Sequence, residues 1–430
     1  MIKETEYKKR RDRLSKNLDK NSVAVLYSAE HQTRSNDTEY PYRQNSNFYY
    51  MCGFTESNSA LVFVKRRKKT KCYLFVEQKD EAKELWSGKR LGEIEAKKRF
   101  DVDEVFVIKD FNLKLKDFLA DKETLYFDFN LQYNKVKVIK RYSKNLGTYK
   151  NIALLINKMR LIKSKAEIRV IKKALKITQE AHHKLMSMDK IGKNEGELLA
   201  ETEYIFKKSG AYSDAYTSII ASGNAANTLH YIDNNKALSE ESLILIDAGC
   251  EFEYYASDIT RSIPVSGKFS SAQKELYNMV LDVQLKIIAQ IKPGFLRTKL
   301  QVNAVELLTQ GMIDLGILKG SLKKLIKKEK YKKYYPHGIG HWMGIDVHDE
   351  CPYKYSNGKE IPLKRGMVLT IEPGIYIDEN DKSVPIEYRG IGIRIEDDIL
   401  VTKNGSENLS AGIAKSVEEI LALNIDYSSL

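Results

Sequence analysis

The chain has 430 residues, 42% hydrophobic and 30% charged, a balance suited to a soluble globular protein and a length that suits two domains rather than one core. Its formal charge of +13 raises nucleic acid as a partner, but the excess sits in lysine runs such as Lys65-Arg66-Arg67-Lys68-Lys69 and the stretch Lys319–Lys333. These lack the interleaved glycine and aromatic motifs that read bases, so a solvated basic surface is the reading and no nucleic-acid partner is expected.

To about residue 157 the chain alternates short apolar runs with charged helical patterns. Val23–Tyr27, Ala60–Val64, Cys72–Val76 and Thr124–Phe127 read as buried strands, and Glu81–Leu85 and Gly92–Arg99 as connecting helices. Such alternation predicts an N-terminal α/β domain over residues 1–157. Ser164, with Glu167 three positions on, then forms a capping-box signature ahead of Ile168, Ile171, Leu175 and Ile177 at helical spacing. A second domain, 158–430, starts here. His182 and His183 on this helix read as a solvated pair, because adjacent residues do not share a helix face. A further helix, Glu195–Lys208, stops before Gly210, a suitable C-cap residue.

From Ser242 the pattern turns to strand. Leu243–Asp247 is an apolar strand, and the chain returns through Tyr254–Val265. Two long helices follow, Ala272–Ile291 and Lys299–Leu315, separated by Pro293-Gly294; the last strands are Met367–Ile377 and Gly390–Val401. No internal repeat is obvious, although two helix-plus-strand halves of the second domain are compatible with the pattern. The cysteines, Cys52, Cys72, Cys250 and Cys351, are far apart with no C-x-x-C spacing, which argues against a disulfide framework or a thiolate zinc site. No run approaches the ~18 apolar residues that cross a bilayer, so no membrane span or partner is expected. The charged first residues lack the apolar core of a signal peptide, and a cytoplasmic location follows as an expectation.

The chemistry lies in acids set among apolar strand residues. Asp247 stands in Ile246-Asp247-Ala248-Gly249, Asp258 in Ser257-Asp258-Ile259-Thr260-Arg261, Glu372 in Ile371-Glu372-Pro373-Gly374, and Glu396 in Ile393-Arg394-Ile395-Glu396-Asp397. A carboxylate embedded in this way costs several kcal/mol unless a cation or hydrogen bonds compensate it. With His341 in His337-Gly338-Ile339-Gly340-His341, the shared solution is metal. Strand alternation puts Arg394 and Glu396 on one face and Ile391, Ile393 and Ile395 on the other, toward the core. Carboxylate-rich sites with one imidazole favour manganese or cobalt over thiolate-type zinc. Such a charge is too large for one catalytic ion with an open position; two ions roughly 3.5 Å apart balance it.

Taken in order, these strings resemble the metal-site segments of the pita-bread metallopeptidases, specifically the Xaa-Pro aminopeptidase (aminopeptidase P) family, and Tyr40-Pro41-Tyr42-Arg43-Gln44-Asn45-Ser46-Asn47-Phe48-Tyr49-Tyr50 resembles its N-terminal domain. The resemblance implies an α/β (α+β) fold, an N-terminal α/β domain followed by a pita-bread catalytic domain. It implies removal of the N-terminal residue from peptides with proline second, by a hydroxide shared between two divalent ions, manganese first and cobalt or zinc as alternatives. Its ligands fall on Asp247, Asp258, His341, Glu372 and Glu396, with Asp258 and Glu396 bridging, Asp247 on one ion, and His341 and Glu372 on the other. Glu372 is implied as proton shuttle. His230 and His348 are implied to contact substrate and steady the oxyanion. His337 and Tyr376 match positions on the proline side, and Arg394 matches a site arginine that also orients Asp247. A homo-oligomer, dimer or tetramer, is implied too. Trp86 matches a position near the substrate entrance, with packing inside its own domain as the competing expectation.

Singly, each acid could be a surface ion-pair partner; the set is specific. A prolidase, cleaving Xaa-Pro dipeptides, would use the same ligands, but Tyr40–Asn47 and Tyr388–Arg394 resemble aminopeptidase P more closely. A metal-free pita-bread binding module would have lost ligands, and here none is replaced.

Overall fold

The structure, a computed structural model, describes residues 2–144 and 146–423. It divides into two units, Met1–Met159 and Arg160–Leu430.

In the first unit a mixed sheet is built from Ser22–Tyr27 (β1), Ala60–Arg66 (β2), Lys69–Val76 (β3), Glu104–Val107 (β4), Thr124–Phe127 (β5) and Thr148–Asn151 (β6), in the order β4-β3-β2-β1-β5-β6. β1 runs antiparallel to β2, pairing Val23 with Val64 and Val25 with Val62, and parallel to β5. The β-branched and aromatic residues of these central strands have no exposed face to spare, so both faces are apolar. Val23, Val25, Val62, Phe75, Leu125 and Phe127 pack with Phe111 and Leu115 of helix Phe111–Leu119 (α1). The two strands that periodicity missed, β4 and β6, are the short edges of the sheet. On the helix Glu81–Ser87, Trp86 is 90% exposed. Packing within its own domain is therefore not its role.

The second unit repeats one arrangement, a helix pair against short antiparallel strands. Helices Lys165–Ser187 (α2) and Glu195–Lys208 (α3) pack together beside Ile219–Ser222 (β7), Leu243–Asp247 (β8) and Thr260–Pro264 (β9). Helices Ser271–Ile288 (α4) and Arg297–Asp314 (α5) form the second pair. They go with Val368–Ile371 (β10), Gly374–Tyr376 (β11), Gly392–Arg394 (β12), Asp397–Val401 (β13) and Ser406–Asn408 (β14). Three of the helices start with a full capping box: Ser164 with Glu167, Asn194 with Glu197, and Ser270 with Gln273. Each cap is worth about 1 kcal/mol and fixes where its helix begins. One core joins the halves, with Ile177 and Leu185 of α2, Ile244 and Ile246 of β8, Leu276 and Val280 of α4, and Ile371, Ile393 and Ile395 of the late strands.

Two expectations change. His182 is buried, not solvated: it lies on the inward face of α2 with Ile171, Leu175 and Thr178, and its Nε2 donates to the Ala248 carbonyl at 3.0 Å. His183, half-buried, accepts from the Ala414 amide at 3.2 Å. The final strands are also each broken. Met367–Ile377 becomes β10 and β11, interrupted at Glu372-Pro373, and Gly390–Val401 becomes β12 and β13, interrupted at Ile395-Glu396. At the breaks the backbone changes partner, the Glu372 amide donating to Ile339 and the Glu396 amide to Thr260. Each break sits at an acid that faces the site.

Candidate metal centre

β8 ends in Asp247, paired in register with Thr260 of β9, and Asp258 lies just before β9. The register pulls the two acids onto one edge of the sheet. Glu396 arrives from the break between β12 and β13, and its Oε2 accepts from Thr260 Oγ1 at 2.7 Å. His341 is set by close passage of its segment along β10: its amide donates to Thr370 Oγ1 and its carbonyl accepts from the Thr370 amide. A β-carbon at Gly340 would collide with the Thr370 carbonyl, so only glycine permits this approach.

Ligand atoms of Asp258, His341 and Glu396 lie within 4.8 Å of one another. His341 Nε2 is 3.2 Å from Asp258 Oδ2 and 3.7 Å from Glu372 Oε1. Asp247 stands at the side of this cluster, its Oδ1 accepting from the Tyr216 hydroxyl at 2.7 Å and its Oδ2 from Arg394 Nη2 at 2.5 Å. All of the expected ligands line one cavity of about 340 Å³, together with His230, His337, His348 and Arg394.

Tyr376 does not line that cavity. It is buried behind the wall, its hydroxyl accepting from Arg394 Nη1 at 2.9 Å and meeting His337 Nε2 at 2.8 Å. The His337 tautomer follows from its other nitrogen: Nδ1 faces the Gly338 carbonyl at 2.8 Å and must donate, so Nε2 accepts from Tyr376. Burial lowers His337 to about 4, which keeps the ring neutral in this role. Burial also lowers His348, whose ring meets that of His341 edge-on at 4.2 Å. Arg394 has every guanidinium nitrogen committed, Nη2 to Asp247, Nη1 to Tyr376, and Nε to Thr260 Oγ1 at 3.1 Å. It therefore braces Asp247 directly and Glu396 through Thr260.

The electrostatics test whether cations belong here. Burial pushes Glu396 well above the carboxylate range, and the charges of Asp258, Glu372 and Asp247 push it further. Burial raises Glu372 to about 7, against the opposing pull of His341 and Arg394. For His341 burial disfavours the charge, yet the hydrogen bond and charge of Asp258 carry it up to about 9. These acids are crowded, dry and short of positive charge, so they bind protons; the same lone pairs would bind divalent cations. His341 Nδ1 donates to the Trp342 carbonyl at 3.1 Å, which leaves Nε2 as the lone pair aimed at the acids. The donor set is hard oxygen with one imidazole, and it fits divalent ions.

Sequence reasoning missed Tyr216, Thr260 and Asp398. Burial and Asp247 hold the Tyr216 phenol well above its usual value, so it stays a donor to that acid. Asp398, fully buried, accepts the Asp258 amide at 3.1 Å. Thr260 was legible, because strand alternation places it with Asp258. Tyr216 and Asp398 carried no such signal.

Residues 169–403 match the family described as Metallopeptidase family M24, and residues 7–126 match the Aminopeptidase P, N-terminal domain. The chain is 39% identical over 415 residues to an Xaa-Pro aminopeptidase of Haemophilus influenzae, covering 96% of each. It is 38% identical over 436 residues to an Xaa-Pro aminopeptidase of Escherichia coli, covering 99% of this chain and 98% of that one. Among solved structures, Zn-substituted E. coli aminopeptidase P in complex with product matches with a TM-score of 0.95 at 36% identity, over 98% of both chains. Proline aminopeptidase P II from Yersinia pestis matches with a TM-score of 0.94 at 37% identity, over 98% of this chain and 99% of that one.

Proposed function

The chain belongs to metallopeptidase family M24 and is a metal-dependent Xaa-Pro aminopeptidase, and we propose that it works through Asp247, Asp258, His341, Glu372 and Glu396 holding two divalent ions, manganese first. The observation that supports this is the convergence of three buried acids, a part-buried fourth, Glu372, and one oriented imidazole on a single cavity.

Divalent ions held there would activate a water and polarise the scissile carbonyl. The protein supplies the rest. Asp258, His341 and Glu396, whose ligand atoms lie together, would hold the ions with Glu372 and Asp247. Glu372, which lines the cavity beside His341, would carry a proton to the departing proline nitrogen. His230 and His348 take the carbonyl side of the bond, where charge grows in the transition state. Neutral His337 takes the proline side, held in one tautomer by the Gly338 carbonyl and oriented by Tyr376. Arg394 holds Asp247 in place.

The test is a panel of Xaa-Pro dipeptide, Xaa-Pro-Xaa tripeptide and longer peptides, assayed after loading with manganese, cobalt or zinc. Release of the first residue from tripeptides and longer chains is expected, and Glu372→Gln should lower kcat by about a thousandfold or more. Turnover confined to the dipeptide would move the assignment to a prolidase. Near-normal turnover by Glu372→Gln would refute its role.

A further inference from the structure

His230 stands on a segment with little to hold it. Residues 228–236, between β7 and β8, lie outside helix and strand, and Thr228, His230, Ile232, Asp233, Asn235 and Lys236 are exposed. Only Tyr231, at 7% exposure, and Asn234, at 5%, are buried. Both are anchored by hydrogen bonds.

Tyr231 is anchored by Glu195, the first residue of α3, which is fully buried outside the cavity. One Glu195 oxygen accepts from the Ser222 amide at 2.8 Å and the Ser222 hydroxyl at 2.7 Å, both on β7. The other accepts from the Tyr231 hydroxyl at 2.7 Å and the Lys236 amide at 2.9 Å, both on the loop. The carboxylate thus ties the loop to a strand of the site's own sheet. Asn234 adds a second tie: its Oδ1 accepts from the Ile220 amide at 2.8 Å and its Nδ2 donates to the Ser218 carbonyl at 2.9 Å. Its φ of 46° is one that asparagine tolerates better than most residues.

We propose that Glu195 is a positioning residue for the reaction: through Tyr231 it fixes the loop that presents His230 to the cavity, an inference that rests on reading His230 as a substrate-facing group. A buried carboxylate is a costly way to secure a loop, and an apolar pair of similar volume would serve stability as well. Hydrogen bonds to charge add direction, which packing does not. What needs direction here is one exposed imidazole. A displacement of about 1 Å at such a group can cost on the order of a hundredfold in rate.

The experiment is a double-mutant cycle on the metal-loaded enzyme, with Tyr231→Phe, His230→Ala and the pair, read as kcat/KM on an Xaa-Pro-Xaa peptide. Tyr231→Phe should lower kcat/KM about tenfold with bound metal unchanged, and on the His230→Ala background it should cost less than about twofold. A fully active Tyr231→Phe, or a tenfold loss that persists without His230, would overturn the brace. A fully active His230→Ala would overturn its premise instead. Should Tyr231→Phe fail to fold, Glu195→Gln enters the same cycle: it keeps the shape but turns an amide group toward donors.

Discussion

Arg394 shows how one side chain can set two acids. Its guanidinium is planar and rigid, and three nitrogens reach three oxygens, on Asp247, Tyr376 and Thr260. A lysine has a single ammonium and cannot reproduce that fork. Arg394→Lys should therefore weaken metal binding by about tenfold to a hundredfold, the usual cost of losing an outer partner, with the fold retained. Metal titration followed by activity checks it. Tyr376→Phe should act differently, because it frees His337 Nε2 and Arg394 Nη1 but leaves the Arg394 contacts to Asp247 and Thr260 in place. Its loss should fall on kcat/KM for proline peptides while metal affinity stays within about twofold.

Among the elements, the segment carrying His341 and His348 is fixed at both ends. Asp349, adjacent to His348 and fully buried, is held by Arg160 and by Lys163 at 2.9 Å, and its amide donates to the Trp342 carbonyl at 2.8 Å. Burial alone would raise this carboxyl, but Lys163 and Arg160 outweigh it and hold it well below the usual carboxylate range. A lowered folded-state pKa means stability that is present above about pH 4, the unfolded value, and lost as acid protonates the group. Melting temperature followed from pH 6 to pH 2.5 should drop below about pH 4, and Asp349→Asn should start lower and drop less over that range. An identical slope in both proteins would rule the clamp out as the acid-sensitive element.

The elements also show what the sequence could disclose. Alternation within Ile391, Ile393 and Ile395 placed Arg394 and Glu396 on the opposite face, and the capping box at Ser164 marked the start of α2 to the residue. Both are local signals. The breaks at Glu372 and Glu396 were hidden because each depends on a backbone partner, Ile339 or Thr260, far away in sequence. His182 was misjudged because it was weighed against His183 rather than against Leu175 and Thr178, with which it shares a face. Glu195 gave no sign at all, since its four donors come from β7 and the following loop.

For the molecule as a whole, removal of metal should be felt in stability as well as in catalysis. The buried acids of the centre repel one another without a compensating cation, so chelation should lower the melting temperature by several degrees and added manganese should restore it. An unchanged melting curve would show that the site is neutralised by other means. Leu85 and Trp86, 83% and 90% exposed, are an apolar patch of the kind that the homo-oligomer implied by the family resemblance would cover. Light scattering should find a dimer or tetramer, and Trp86→Glu should shift it toward monomer.

The positions of the ligands along the chain bear on the order of synthesis. Asp247 precedes Glu396 by 396 − 247 = 149 residues, so the proposed ligands are spread over a long stretch of chain. A nascent polypeptide that has emerged only as far as Gly340 carries Asp247 and Asp258 but lacks His341, Glu372 and Glu396. On the proposed ligand set, loading awaits emergence of Glu396 from the ribosome, and polypeptides cut short before the last strands should be proteolytically silent rather than partly active.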